Sequence, residues 1–179
     1  MRNAERLCLA HFWVAFAAFL AAACLGTFQM WVRSPLGADI GTPGLYFASV
    51  TAHGVSMAYV LTIFFIMGFG YFVAVTALDR PLPGMVWAWA AYWLALVGVV
   101  MAVIPIVIGR ASVLYTFYPP LMGSPWYYIG LVLVVASSWV SIPAKQAGSR
   151  MYPFAQGVAP TPKCSLSIRP YSMACSRVA

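Results

Sequence analysis

The 179-residue chain is 63% hydrophobic and only 7% charged, with a formal net charge of +7. A water-soluble domain carries roughly 25% charged residues, so a chain this poor in them cannot clothe a water-facing surface, and its solvent is lipid. The basic residues flank apolar runs rather than lining a polar domain, which argues against a nucleic-acid binder, and the three acids (Glu5, Asp39 and Asp79) lie outside the middle of those runs, which argues against a carboxylate proton relay in the membrane interior.

The first apolar run covers roughly 7–31, "LCLAHFWVAFAAFLAAACLGTFQMW". At about 1.5 Å per residue it can cross a hydrocarbon core of about 30 Å. A cleaved signal peptide is the rival reading, since Arg2 and Arg6 precede the run, but the run exceeds the usual apolar segment of about 7–15 residues and more runs follow. The second run, roughly 45–78, is longer than a bilayer needs, so its start is expected at the interface or the helix tilts. Gly54, Ala58 and Thr62 fall at four-residue spacing and predict one face small enough for a neighbouring helix to approach closely. "LDRPLPG" then stops the helix, because prolines and a glycine cannot continue it.

The third run is roughly 85–108. Trp87, Trp89, Tyr92 and Trp93 crowd its first turns, the pattern of an aromatic belt at the membrane surface. Gly98 and Ala102 form another small pair, and Pro105 is expected to kink or end the far side. The fourth run, roughly 126–142, is at the short end for a span. These four spans define an all-α membrane domain over 1–142. From 143 to 179 the composition turns to Ser, Pro, Lys and Arg without apolar period, which predicts a disordered or loosely attached tail. Most Lys and Arg fall on the side of the two termini and the second loop, leaving only Arg33 and Arg110 opposite. That bias predicts an integral membrane protein with both termini cytoplasmic.

Little in the chain can carry chemistry. No Ser/His/Asp set, G-x-S-x-G, P-loop or H-E-x-x-H occurs. Cys8, Cys24, Cys164 and Cys175 have no metal-like spacing and read as apolar fillers or incidental tail residues. The two histidines differ in interest. His11, near the charged N-terminus, reads as an interfacial or interhelical residue without special surroundings. His53 opens "TAHGVSMAYV" toward the outer end of the second span. It has three possible fates: a hydrogen bond across helices, a wet place among headgroups, or ligation of a metal or haem through a neutral ring nitrogen. Position alone leaves all three open.

The surrounding words narrow the choice. "TAHGVSMAYV" resembles the second transmembrane helix of haem-copper oxidase subunit I. "ASVLYTFYPPLMGSPWYYIG", followed by "SSWVSI", is similar to the loop and fourth helix of the B-type branch of that family, and "FWVAFAAFLAAACLGTFQ" to its first helix. The resemblance covers roughly residues 7 to 142. It implies a place in the N-terminal part of a bundle of twelve or more helices. That bundle carries a low-spin haem and a high-spin haem–copper centre and works with subunit II, moving electrons from cytochrome c to oxygen and pumping protons in a bacterial-type inner membrane. The low-spin haem iron takes two histidines, and the one on the second helix matches His53; bis-imidazole ligation suits an electron carrier, because it leaves no open position. Arg110, Tyr115 and Tyr118 fall on the outer side, where haem propionates point in this family, and Tyr115 is the candidate haem-edge contact, with an ordinary interfacial tyrosine as the alternative. No histidine follows His53, so the partner haem ligand, the high-spin haem ligand and the copper ligands have no counterpart here. Asp79 beside Arg80 reads as a paired surface charge, and the absence of the acid that opens one proton channel in the A-type branch suits the B-type. The abrupt change near 142 suggests an N-terminal fragment with an unrelated tail, inactive alone. Two rivals stand beside this reading: a fragment of the related nitric oxide reductase large subunit, and a small four-span membrane protein without haem.

Overall fold

A computed structural model of the protein describes residues 2–37, 42–78, 84–114, 117, 119 and 121–141, and their regular structure is helical throughout. The tail beyond 142 lies outside the described residues. Each predicted span is a helical rod. The first, α1 (Arg2–Arg33), starts five residues before the apolar run, because the polar residues preceding it are compatible with helix. Glu5 in its first turn and Arg33 in its last both suit the helix dipole.

The second rod is not one continuous α-helix. It comprises α2 (Pro43–Val55), a π-helical segment (Ser56–Leu61) and α3 (Thr62–Leu78). Thr42 caps α2, its hydroxyl accepting from the Leu45 amide, and Pro43 occupies the first turn, where its missing N–H costs nothing. In the π segment the backbone bonds reach one residue further back. Thr62 matches that spacing: its hydroxyl donates to the Met57 carbonyl, five residues earlier, at 2.9 Å. No hydrophobic periodicity announces this segment, since apolar residues surround it on every side.

The third rod is α4 (Met85–Val107) and the fourth α5 (Pro125–Val140). Pro105 lies in the last turn of α4, two residues before its end at Val107. Shortly beyond it, the chain turns through Gly109 at φ 74°. The Gly109 amide donates to the Ile106 carbonyl at 3.0 Å and the Arg110 amide to the Pro105 carbonyl at 2.8 Å, the paired bonds of a Schellman motif. Three rods are long and apolar enough to cross a membrane: Asn3–Arg33, Pro43–Thr76 and Met85–Val107. The fourth, at 16 residues, reaches only about 24 Å of a core about 30 Å thick.

Packing follows the small residues. α4 and α5 form an antiparallel hairpin closed by the contact of Gly98 with Gly130. A Cβ placed on Gly130 would stand 2.6 Å from the Gly98 carbonyl oxygen and 2.7 Å from the Ala102 nitrogen, so the backbones touch. The Gly98/Ala102 face predicted from spacing is therefore an interhelical seam, and Gly130 is its unforeseen partner. In lipid such seams are held by dispersion and close backbone approach, since lipid tails are as apolar as the side chains. The other small face behaves differently. Ala58 and Thr62 are exposed, and no described helix covers them. The π segment separates Gly54 from the residues after it, so a four-residue spacing no longer marks one straight stripe. α1 instead lies antiparallel along the second rod, with Phe64, Met67 and Tyr71 buried.

Candidate functional site

His53 lies on the last full turn of α2, half-buried against α1. Its Nδ1 is 2.8 Å from the carbonyl oxygen of Ala22. A carbonyl can only accept, so Nδ1 carries the proton and donates. In the neutral ring the lone pair is then on Nε2. The ring also lies against Gly26, one turn further along α1: a Cβ there would stand 3.1 Å from His53 Cε1 and 3.4 Å from Nδ1. One helix thus fixes both the tautomer and the seat of the imidazole.

Two further bonds hold the same turn of α2. The Gln29 side-chain amide donates to the Ser49 carbonyl at 3.1 Å. Thr51, two residues before His53, is fully buried. Its hydroxyl donates to the Phe47 carbonyl at 2.8 Å and accepts the Leu114 amide at 2.9 Å. Leu114 belongs to the loop between α4 and α5 and adopts a left-handed conformation, φ 60°. At the outset of α2, the Arg33 guanidinium stands 5.5 Å over the Tyr46 ring, a cation–π contact joining α1 to α2. None of these partners was marked by sequence pattern. Gly26 and Ala22 are two more small residues of an apolar run, and Thr51 is one letter of the quoted motif.

Of the two readings of His11, the structure favours the interhelical one, between α1, α3 and α4. His11 is 1% exposed and has rings on three sides: Tyr92 at 5.0 Å, Tyr71 at 5.5 Å and Phe64 at 5.7 Å between centroids. Its Nδ1 donates to the Leu7 carbonyl at 2.9 Å. The expectation of unremarkable surroundings fails because Tyr92 turns inward; of the predicted belt, Trp87 and Trp93 are exposed, while Trp89 packs on Tyr92 at 5.5 Å. His11 and Ala22 are eleven residues apart on α1, about 16 Å along the axis, so the two histidines cannot meet at one site.

Among the described residues no group of three or more His, Cys, Asp or Glu side chains gathers around a point. What the arrangement offers is a single monodentate nitrogen ligand. An apolar cavity of about 670 Å³ lies beside it, between α1, α2 and the end of α4, with Leu25, Phe28, Ala48, Ala52 and Ile106 in its walls. His53 is not part of that lining, so the ligand geometry, not the cavity, marks the site. Tyr115 and Tyr118 lie outside the described residues. Arg110 is exposed, and its carbonyl accepts the Ser124 amide at 2.9 Å, closing the loop that carries Leu114.

Antiparallel apolar rods with two oriented imidazoles, of which only that of His53 is not fully buried, describe a helix-bundle membrane protein with one accessible nitrogen ligand. Residues 6–144 match the family described as Cytochrome C and Quinol oxidase polypeptide I. The chain is 40% identical over 98 residues to cytochrome c oxidase subunit 1 of Thermus thermophilus, a match covering 54% of this chain and 17% of that protein. It is also similar to a chain of a haem-copper terminal oxidase dimer solved by cryo-electron microscopy, with a TM-score of 0.74 and 31% identity, over 84% of this chain and 27% of the other. The protein belongs to the haem-copper oxidase subunit I family, as an integral membrane chain spanning a minor part of the length of the relatives it matches.

Proposed function

We propose that this chain forms one wall of a low-spin haem site, in which His53 Nε2 would be one of the two nitrogens that hold the iron. The observation that carries the proposal is the hydrogen bond from Nδ1 to Ala22, because it leaves the outer nitrogen to ligate and raises its basicity. The residues fit one face of a haem iron. The second axial ligand must come from elsewhere, since His11 is enclosed by its aromatic neighbours. Bound there, a haem supplies a one-electron redox step without oxygen chemistry. Tyr115 is proposed as a contact at the haem edge.

The wider activity is proposed at the level of the family: electron transfer from cytochrome c to oxygen coupled to proton pumping, with a high-spin haem and copper held by residues this sequence does not contain. The remaining helices, subunit II and cytochrome c are the proposed partners. The Lys and Arg bias supports cytoplasmic termini in a bacterial-type inner membrane. Both named relatives are oxidases, which favours this reading over a nitric oxide reductase or a chain without haem.

The test supplies the missing ligand. The chain in detergent micelles is titrated with haem in the presence of free imidazole, and absorbance is followed. A low-spin bis-imidazole spectrum that is lost in His53→Ala and kept in His11→Ala supports the proposal. With imidazole held below the concentration at which it alone makes micellar haem low-spin, an identical spectrum in His53→Ala overturns it.

A further inference from the structure

Thr51 is a buried polar residue whose use is not explained by the helix it belongs to. A threonine within a helix ordinarily returns its hydroxyl to a carbonyl one turn back, which Thr51 does toward Phe47. That bond uses the hydroxyl proton only. The oxygen also accepts the amide of Leu114, sixty-three residues away. A non-glycine residue at positive φ is strained, and it persists where surrounding contacts over-determine it. The loop is therefore pinned onto α2 at a point two residues from His53.

The place of this pin matters because the helix beyond it is interrupted. Three residues after His53 the α-helix gives way to the π segment. The backbone ladder changes register there, from four residues back to five, so the turn bearing His53 is marked off from the rod beyond it and its own ties set its place. Three ties fall between 49 and 53: Gln29 to Ser49, Leu114 to Thr51, and His53 to Ala22. The first and last come from α1. Only the Thr51 bond comes from the opposite side, from the loop joining α4 to α5.

We infer that Thr51 is a positioning residue for the His53 imidazole, clamping its turn of α2 between α1 and the α4–α5 loop. The inference rests on His53 being the haem ligand only for its haem readout; the orientation of the ring can be read without haem.

The experiment uses the whole chain, labelled with [15N]histidine, in micelles. His53 and His11 give two sets of ring signals, and His11 reports whether the bundle is folded. Thr51→Val keeps the shape and removes the hydroxyl; Thr51→Ser keeps the hydroxyl. The expected result is that Thr51→Val weakens exchange protection of the His53 Nδ1–H and leaves His11 unchanged, while Thr51→Ser restores it. In the haem and imidazole titration, Thr51→Val is expected to lower affinity about 10-fold, and Thr51→Ser by no more than about 2-fold. An unchanged His53 signal in Thr51→Val, with His11 showing a folded chain, overturns the inference. Loss of both histidine signals in Thr51→Val but not Thr51→Ser also overturns it, because Thr51 would then hold the fold rather than the ring. If wild type shows no haem spectrum dependent on His53, the haem proposal fails, and the nitrogen signals still decide the role of Thr51.

Discussion

Replacing Gly130 by alanine tests the packing of the α4–α5 hairpin. The new Cβ would lie 2.6 Å from the Gly98 oxygen, 2.7 Å from the Ala102 nitrogen and 3.0 Å from the Met101 carbonyl carbon. All three are backbone atoms, so no side chain can swing aside. Relief requires the helices to part by about 0.8 Å, the gap between 2.6 Å and an ordinary contact of 3.4 Å. A radial gap of about 0.5–1 Å forfeits roughly a quarter to a half of each dispersion contact along the seam. Dispersion and close approach are what hold helices together in lipid. The expected cost is about 1–3 kcal/mol, the range of overpacked cores. It is read from the midpoint of unfolding in sodium dodecyl sulfate titrations of the chain in mixed micelles. Gly44→Ala is the control, since a Cβ there meets nothing within 4 Å. A Gly130→Ala midpoint equal to that of Gly44→Ala would refute the account of the seam.

Three other outcomes are expected. Gly26→Val should push the imidazole from its seat, because even a Cβ stands 3.1 Å from His53 Cε1; haem affinity in the imidazole titration should fall about 10-fold or more. His11→Ala should destabilise the bundle by about 2–4 kcal/mol through the void left among Tyr92, Tyr71 and Phe64, measured by the same detergent unfolding, without changing the haem spectrum. Thr42→Ala should cost no more than about 0.5 kcal/mol, since its capping bond is exposed and 3.4 Å long, and a larger loss would show that the cap matters more than its geometry suggests.

What the sequence made legible was whatever depends on composition along one element. Scarcity of charge marks lipid as solvent, prolines and glycines mark the ends of rods, and Gly98 with Ala102 marks a close seam. The helices differ from the apolar runs by up to five residues, as with α1, where polar residues can continue a helix past the apolar run. Hidden features depend on two elements at once. Gly130 closes the seam only because α5 folds back along α4. His11 reads as ordinary until Tyr92, eighty-one residues later, turns toward it. The π segment has no marker in an unbroken apolar run, and it undoes the small stripe that the spacing of Gly54, Ala58 and Thr62 predicts. At the candidate site, His53 was visible as a rare residue in a familiar motif. Its seat on Ala22 and Gly26, and the clamp through Thr51, required the fold.

The proposed ligand of the haem iron is the His53 nitrogen facing away from Ala22. The most direct measurement is pulsed electron paramagnetic resonance of the ferric complex, prepared from [15N]histidine-labelled chain, natural-abundance haem and natural-abundance imidazole. With His53 as the ligand, the iron spin couples to one directly bound 15N nucleus in wild type and His11→Ala, and to none in His53→Ala. A low-spin complex with no bound 15N nucleus, or one whose coupling persists in His53→Ala, would contradict that assignment.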